Sequence, residues 1–154
     1  MKKKLEIFIG KNADYYLKRF EKFEKGNSIS WNWSAFGFGI FWMAYRKMYL
    51  FTFLAILLTF ILNYIESSVN FSPLFSLLLS LWLWLGFGMF GNYLYYIHAK
   101  NKVAQITLEF PDEKEQQYIL EKEGGTSWSS VFFFILIFII VSGISQYLIE
   151  KNRF

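Results

Sequence analysis

Apolar positions in this chain come in long blocks, not in a period that hides one face from water. Residues 48–65, 74–97 and 129–149 carry no charge. An α-helix needs about 20 apolar residues to cross roughly 30 Å of hydrocarbon, so each block predicts one transmembrane helix. Residues 66–70 form a polar turn after the first block, and Pro73 opens the second. A fourth apolar stretch, Trp31-Asn-Trp-Ser-Ala-Phe-Gly-Phe-Gly-Ile-Phe-Trp-Met-Ala-Tyr45, falls about five residues short of a crossing. Trp and Tyr stand at both of its ends, where their rings favour the headgroup level. It reads as an interfacial or re-entrant helix closed by Arg46 and Lys47.

The polar segments carry their own signals. Asn12 can cap a helix, Asp14 suits its positive end and Gly26 stops it, which predicts a helix over 13–25. Tyr16, Phe20 and Phe23 make one aromatic stripe on it, with Lys18, Arg19, Lys22 and Lys25 elsewhere. Such a basic amphipathic helix can lie on a membrane, bind a partner, or pack its stripe on the rest of the protein. Residues 1–10 suit a short strand or a surface arm. Asp112 and Glu115 form a capping box before a helix ending at Gly124-Gly125.

The organisation that results is an all-α integral membrane protein. A basic amphipathic region (1–30) leads into the interfacial or re-entrant helix (31–47). A transmembrane hairpin (48–97), a loop with a short helix (98–127) and a third transmembrane helix with a short tail (128–154) follow.

Charge orients this arrangement. Residues 1–47 hold ten Lys or Arg, the turn near residue 70 none, the 98–127 loop four and the tail two. The positive-inside bias puts the N-terminus and long loop in the cytoplasm. A four-span alternative would place Arg46, Lys47 and the loop lysines outside and demand a crossing from the short stretch. The net charge of +4 sits beside 55% hydrophobic residues, so its expected partner is an anionic leaflet and not nucleic acid. Without cysteine, disulfides, thiolate metal sites and cysteine nucleophiles are excluded.

Chemical motifs are few. Gly86, Gly88 and Gly91 match the spacing of a dinucleotide fingerprint, but that fingerprint works only between a strand and a helix. A helix-packing reading fits better. Gly88, Gly91, Asn92 and Tyr95 share one helix face, as do Thr52, Ala55, Thr59 and Asn63 in the first span and Ser142, Ser145 and Gln146 in the third. These three stripes are expected to face one another, with an oligomeric channel around the Thr and Asn stripe as the alternative. No ionisable residue lies within the three blocks, which argues against pumps and coupled transporters. His98, the only histidine, has no nucleophile or companion ligand in view. With Lys102 it reads as a helix end meeting phosphate headgroups. The acidic run near 112–123 reads as a solvated helix face, not a metal site.

Several fragments resemble a known family. They are Phe8-Ile-Gly-Lys-Asn-Ala-Asp-Tyr-Tyr16, Trp31-Asn-Trp-Ser-Ala-Phe36, Phe41-Trp42 with Tyr45-Arg-Lys-Met-Tyr49, and Gly91-Asn-Tyr-Leu-Tyr95 with His98, Lys102 and Gly124-Gly-Thr-Ser127. Together they are similar to the bacterial membrane family called domain of unknown function 2628. Ile40 departs from that pattern, which has proline between Gly39 and Phe41, and predicts a more continuous helix there. The resemblance implies a small inner-membrane protein and supplies no activity. The expectation is a non-enzymatic module without cofactor or metal, binding anionic lipid headgroups, another membrane protein or a second copy. Trp31, Trp33, Trp42, Arg46, Lys47, His98 and Lys102 are the expected contact residues.

Overall fold

The computed structural model describes residues 1–69 and 71–151, the last three as backbone only. The described residues form seven helices and no strand. They are α1 (Lys2–Ile9), α2 (Ala13–Glu24), α3 (Trp33–Tyr45), α4 (Tyr49–Val69), α5 (Pro73–Glu109), α6 (Glu113–Glu123) and α7 (Trp128–Lys151). Three of these, α4, α5 and α7, are long and apolar enough to cross a membrane.

The N-terminal ten residues are helical, not extended, and Gly10 (φ 59°) turns the chain into α2. Asn12 precedes α2 as expected, yet it adopts a left-handed conformation and its side chain caps nothing. At α6, the Asp112 carboxylate accepts the Glu115 amide at 2.9 Å, as the capping box predicts. Glu66, Ser67 and Ser68 continue α4 instead of forming a turn, and Ser68 bonds back to the Tyr64 carbonyl. Asn70, the last residue of the expected turn, lies outside the described residues, as does the tail from 152.

The fold has two zones joined by α5. At 37 residues, α5 is about 55 Å long, well beyond a bilayer's hydrocarbon. Its second half is the post on which α1, α2 and α6 pack as a helical cap. Tyr95, Ala99, Val103 and Ile106 of the post meet Phe8, Phe20 and Leu120 in one buried cluster. The stripe on α2 therefore faces the protein. Tyr16, Phe20 and Phe23 are buried, with edge-to-face contacts to Tyr95, Tyr96 and Tyr93 respectively at 4.8, 5.1 and 5.4 Å between ring centroids.

The other zone is organised around α3, which packs on α4, α5 and α7 alike. Gly39 breaks α3 with φ 48° and ψ −121°, so two short helical segments meet at a kink. The first descends along α5 from Trp31 beside Gly88 to Gly39 beside Phe87 and Trp84. The second climbs back, with Trp42 against Tyr95 and Arg46 above the same ring. The continuous helix expected from Ile40 is not formed, because glycine alone supplies the bend without proline. Gly39→Ala is expected to cost about 1–3 kcal/mol by forcing a Cβ into that backbone region. A lowered unfolding midpoint in detergent checks it, and an unchanged midpoint would refute the strain.

The expected meeting of three polar stripes does not occur. Gly88, Gly91 and Asn92 of α5 face α3, not the other spans. Thr52 and Thr59 donate to the Met48 and Ala55 carbonyls of their own helix, and Asn63 is exposed. Ser142 and Ser145 are half-buried and Gln146 is exposed. Phe51 of α4 does reach His98 of α5, but a crevice of about 380 Å³ lies between these helices farther along. The wedge α3 packs on all three spans, and Gly88 and Gly91 of α5 with Ala35 of α3 let those two backbones come close.

Candidate interfacial site

Asn32 and Asn92 anchor the wedge. The Asn32 side chain accepts the Ala35 amide at 2.9 Å, capping α3, and donates to the Asn92 Oδ1 at 2.8 Å. Asn92 Nδ2 in turn donates toward the Ser30 carbonyl and hydroxyl, each 3.2 Å away. The Asn32 amide reaches the Gly88 carbonyl at 2.8 Å. Asn32 and Asn92 are buried and Ser30 partly so, and a satisfied network of this kind fixes one register of α3 on α5. Asn32 was not singled out by sequence, although an Asn before an apolar helical run is an N-cap signal.

Arg46 and Lys47 do a different job from the one their sequence position suggests. Arg46 is only 3% exposed, so it does not face headgroups. Its guanidinium donates to the Ile9 carbonyl at 3.2 Å and the Lys11 carbonyl at 3.0 Å, with Tyr16 and Tyr95 rings at 4.5 and 5.3 Å. Lys47, in a left-handed conformation (φ 56°), donates to the Lys122 carbonyl at 2.8 Å. Both cations thus meet carbonyls at or just past a helix C-terminus, where the helix dipole is negative. The pair ties α1 and α6 to the end of α3.

The remaining expected contact residues divide between inside and outside. His98 is caged by Phe8, Phe51 and Tyr95 at 5.9 to 6.4 Å between centroids, so it packs the cap instead of meeting phosphate. Lys102 stands 3.8 Å from Glu123 of α6. Trp42 is buried against Tyr95, and Trp31 half-buried over Gly88. Trp33 alone is largely exposed, at 73%.

A cavity of about 250 Å³ opens where the α1–α2 turn, the wedge and the start of α7 meet. Lys11, Asn12, Tyr45 and Arg46 contribute polar groups to its lining, and Phe38, Phe41, Trp128 and Val131 contribute apolar ones. Tyr45 lies against Trp128, 5.0 Å between centroids, and its carbonyl accepts the Ser127 amide at 2.9 Å. Thr126, and then Lys11 and Arg46, hold the Tyr45 hydroxyl below the ordinary phenol pKa. Neither Asp nor Glu lines this cavity. Sequence did not reveal it, since Lys11, Ser34 and Trp128 lie on three separate segments.

Among the described residues, no group of three or more His, Asp or Glu is placed to hold a metal ion. The family profile described as Protein of unknown function (DUF2628) matches residues 6–100. The chain belongs to the DUF2628 family. The matched region of this DUF2628 protein runs from α1 to the middle of the α5 post, so it includes the wedge, both anchoring asparagines and Arg46. It stops before α6 and α7. No curated protein and no solved structure matches the DUF2628 chain.

Proposed function

We propose that this protein is a multi-pass protein of the bacterial inner membrane that works by interaction, not catalysis, and gathers anionic lipid headgroups at its cytoplasmic face. The observation that carries this reading is the placement of α2. Its apolar stripe sits on Tyr93, Tyr95 and Tyr96, where the apolar block of α5 ends. Its outer face presents Lys18, Lys22 and Lys25, exposed and without an ion pair among the described residues. Each such cation near an anionic surface contributes about 1 kcal/mol. In the same reading α3 is a re-entrant wedge, entering and leaving on the cytoplasmic side with Gly39 at its tip. The contacts of Gly39 with Trp84 and of Phe41 with Phe138, near the middles of the apolar block of α5 and of α7, support that depth.

The test is lipid enrichment around the protein in nanodiscs of mixed phosphatidylglycerol and phosphatidylcholine. The wild type is expected to enrich phosphatidylglycerol at low salt, and the combined Lys18→Gln, Lys22→Gln and Lys25→Gln variant to lose most of that enrichment. Equal enrichment in both would sink the reading. For orientation, a cysteine at position 18 should react only from the cytoplasmic side, and labelling from the other side would reverse the topology.

A further inference from the structure

Arg46 is a buried cation that meets no anion. It is 3% exposed, each of its two terminal nitrogens donates to a carbonyl, and its Nε is buried without a partner. The ion pairs among the described residues, Lys2 with Glu21 and Lys102 with Glu123, lie elsewhere. A charge withdrawn from water is costly unless an opposite charge or a full set of hydrogen bonds compensates it. Carbonyl dipoles and aromatic faces offset part of that cost, and a net positive field is left at the cavity beside it.

The cavity of about 250 Å³ has the shape of the missing compensation. In its lining, the exposed residue Lys11 adds a second cation to Arg46. Asn12, also in the lining, precedes α2 without capping it, and the dipole of this 12-residue helix favours an anion there. Asp14, in the first turn of α2, is exposed and does not line the cavity. The apolar part of the lining includes Phe38, Phe41 and Trp128, of which Phe38 and Trp128 are 67% and 65% exposed. A soluble anion would use only the polar groups. An amphiphile uses both.

We propose that this cavity is a discrete site for one anionic phospholipid, its phosphate held by Lys11 at the start of α2 in the field of the buried Arg46 guanidinium, and an acyl chain lying along Phe38, Phe41 and Trp128. The proposal rests on the membrane reading above, but its residues are separate from the lysine face of α2. The two kinds of lipid binding differ in their response to salt. At 1 M salt the Debye length is about 3 Å, so headgroups held over the surface of α2 are released while a phosphate seated beside a buried guanidinium is not.

The experiment is native mass spectrometry of the full chain released from nanodiscs of equal phosphatidylglycerol and phosphatidylcholine after a 1 M salt wash. One phosphatidylglycerol per chain is expected to remain. Lys11→Gln removes a charged contact, and Ser34→Trp places bulk in the lining without touching Arg46. Each is expected to lower retention about tenfold at an unchanged unfolding midpoint, the size of one charge-assisted hydrogen bond. The combined Gln variant of α2 keeps the retained lipid. Retention unchanged in both cavity variants overturns the site, as does equal retention of phosphatidylcholine. Displacement by glycerol 3-phosphate at the concentration at which dihexanoyl-phosphatidylglycerol displaces it assigns the site to a soluble phosphate and overturns the lipid. Loss of low-salt enrichment in the α2 variant with no salt-resistant lipid in the wild type would leave the surface reading standing and remove this one.

Discussion

Gly91→Leu is expected to unseat the wedge from α5 and to be among the most destabilising single changes in the zone organised around α3. A Cβ at this position would stand 2.7 Å from the Ala35 Cβ and 3.5 Å from the Trp42 ring. Neither neighbour is the loose end of a long side chain. Ala35 is fully buried at the first turn of α3, and Trp42 is wedged against Tyr95. Space for a leucine can come only from separating the two helices. Separation also stretches the bond between Asn32 and Asn92, one residue away. Overpacking costs about 1–3 kcal/mol, and the buried amides left without partners add about 1–3 kcal/mol each. Gly86→Leu on the same helix provides the control, because nothing lies within 4 Å of a Cβ there. Unfolding in detergent, followed by tryptophan emission, should show a large fall for Gly91→Leu and almost none for Gly86→Leu. Equal midpoints for the two variants would remove α3 from its central place in the fold.

Arg46→Met should loosen the N-terminal cap from the wedge by about 2–5 kcal/mol. The estimate rests on the Ile9 and Lys11 carbonyls, each losing its guanidinium partner in a largely buried setting. Stacking on Tyr16 and Tyr95 is weakened as well. Arg46→Lys is expected to restore little of this. A compact ammonium lacks the planar fork that spans two carbonyls from different positions of the turn and lies flat on a ring. Amide hydrogen exchange across residues 2–24 reads the effect directly. Faster exchange there, with α4 and α7 unaffected, is the expected pattern. Full protection in Arg46→Met would show that α1 is held by its apolar contacts alone.

These two residues mark where sequence was informative and where it stopped. The lengths of the apolar blocks led to α4, α5 and α7, because crossing hydrocarbon sets a length that composition must meet. Asp112 and Gly124 delimited α6 because caps act within one turn. The faces chosen on α5 were also legible, since Gly88, Gly91 and Asn92 recur at helical spacing. Their partner was not. A stripe says which side approaches something, and the three stripes were paired with each other when the wedge takes the one on α5. Arg46 failed for a related reason: a basic residue after an apolar run looks like a headgroup ligand unless one knows that the end of α1 folds beneath it. His98 is the same case, caged by rings from α1, α4 and its own helix. Ile40 misled in the opposite direction, because a single missing proline was weighed above the glycine beside it.

The Asn32–Asn92 bond joins residues sixty positions apart. At a synthesis rate of about 5–20 residues per second, roughly 3–12 s pass between the emergence of the two partners from the ribosome. Through that interval the nascent wedge has no α5 to dock on. A segment that must wait needs a resting place, and its tryptophan-rich ends suit the bilayer surface. On the proposed membrane reading, assembly of this protein is ordered in time: α3 parks, α4 and α5 insert, and only then does the wedge descend and close the bundle from within.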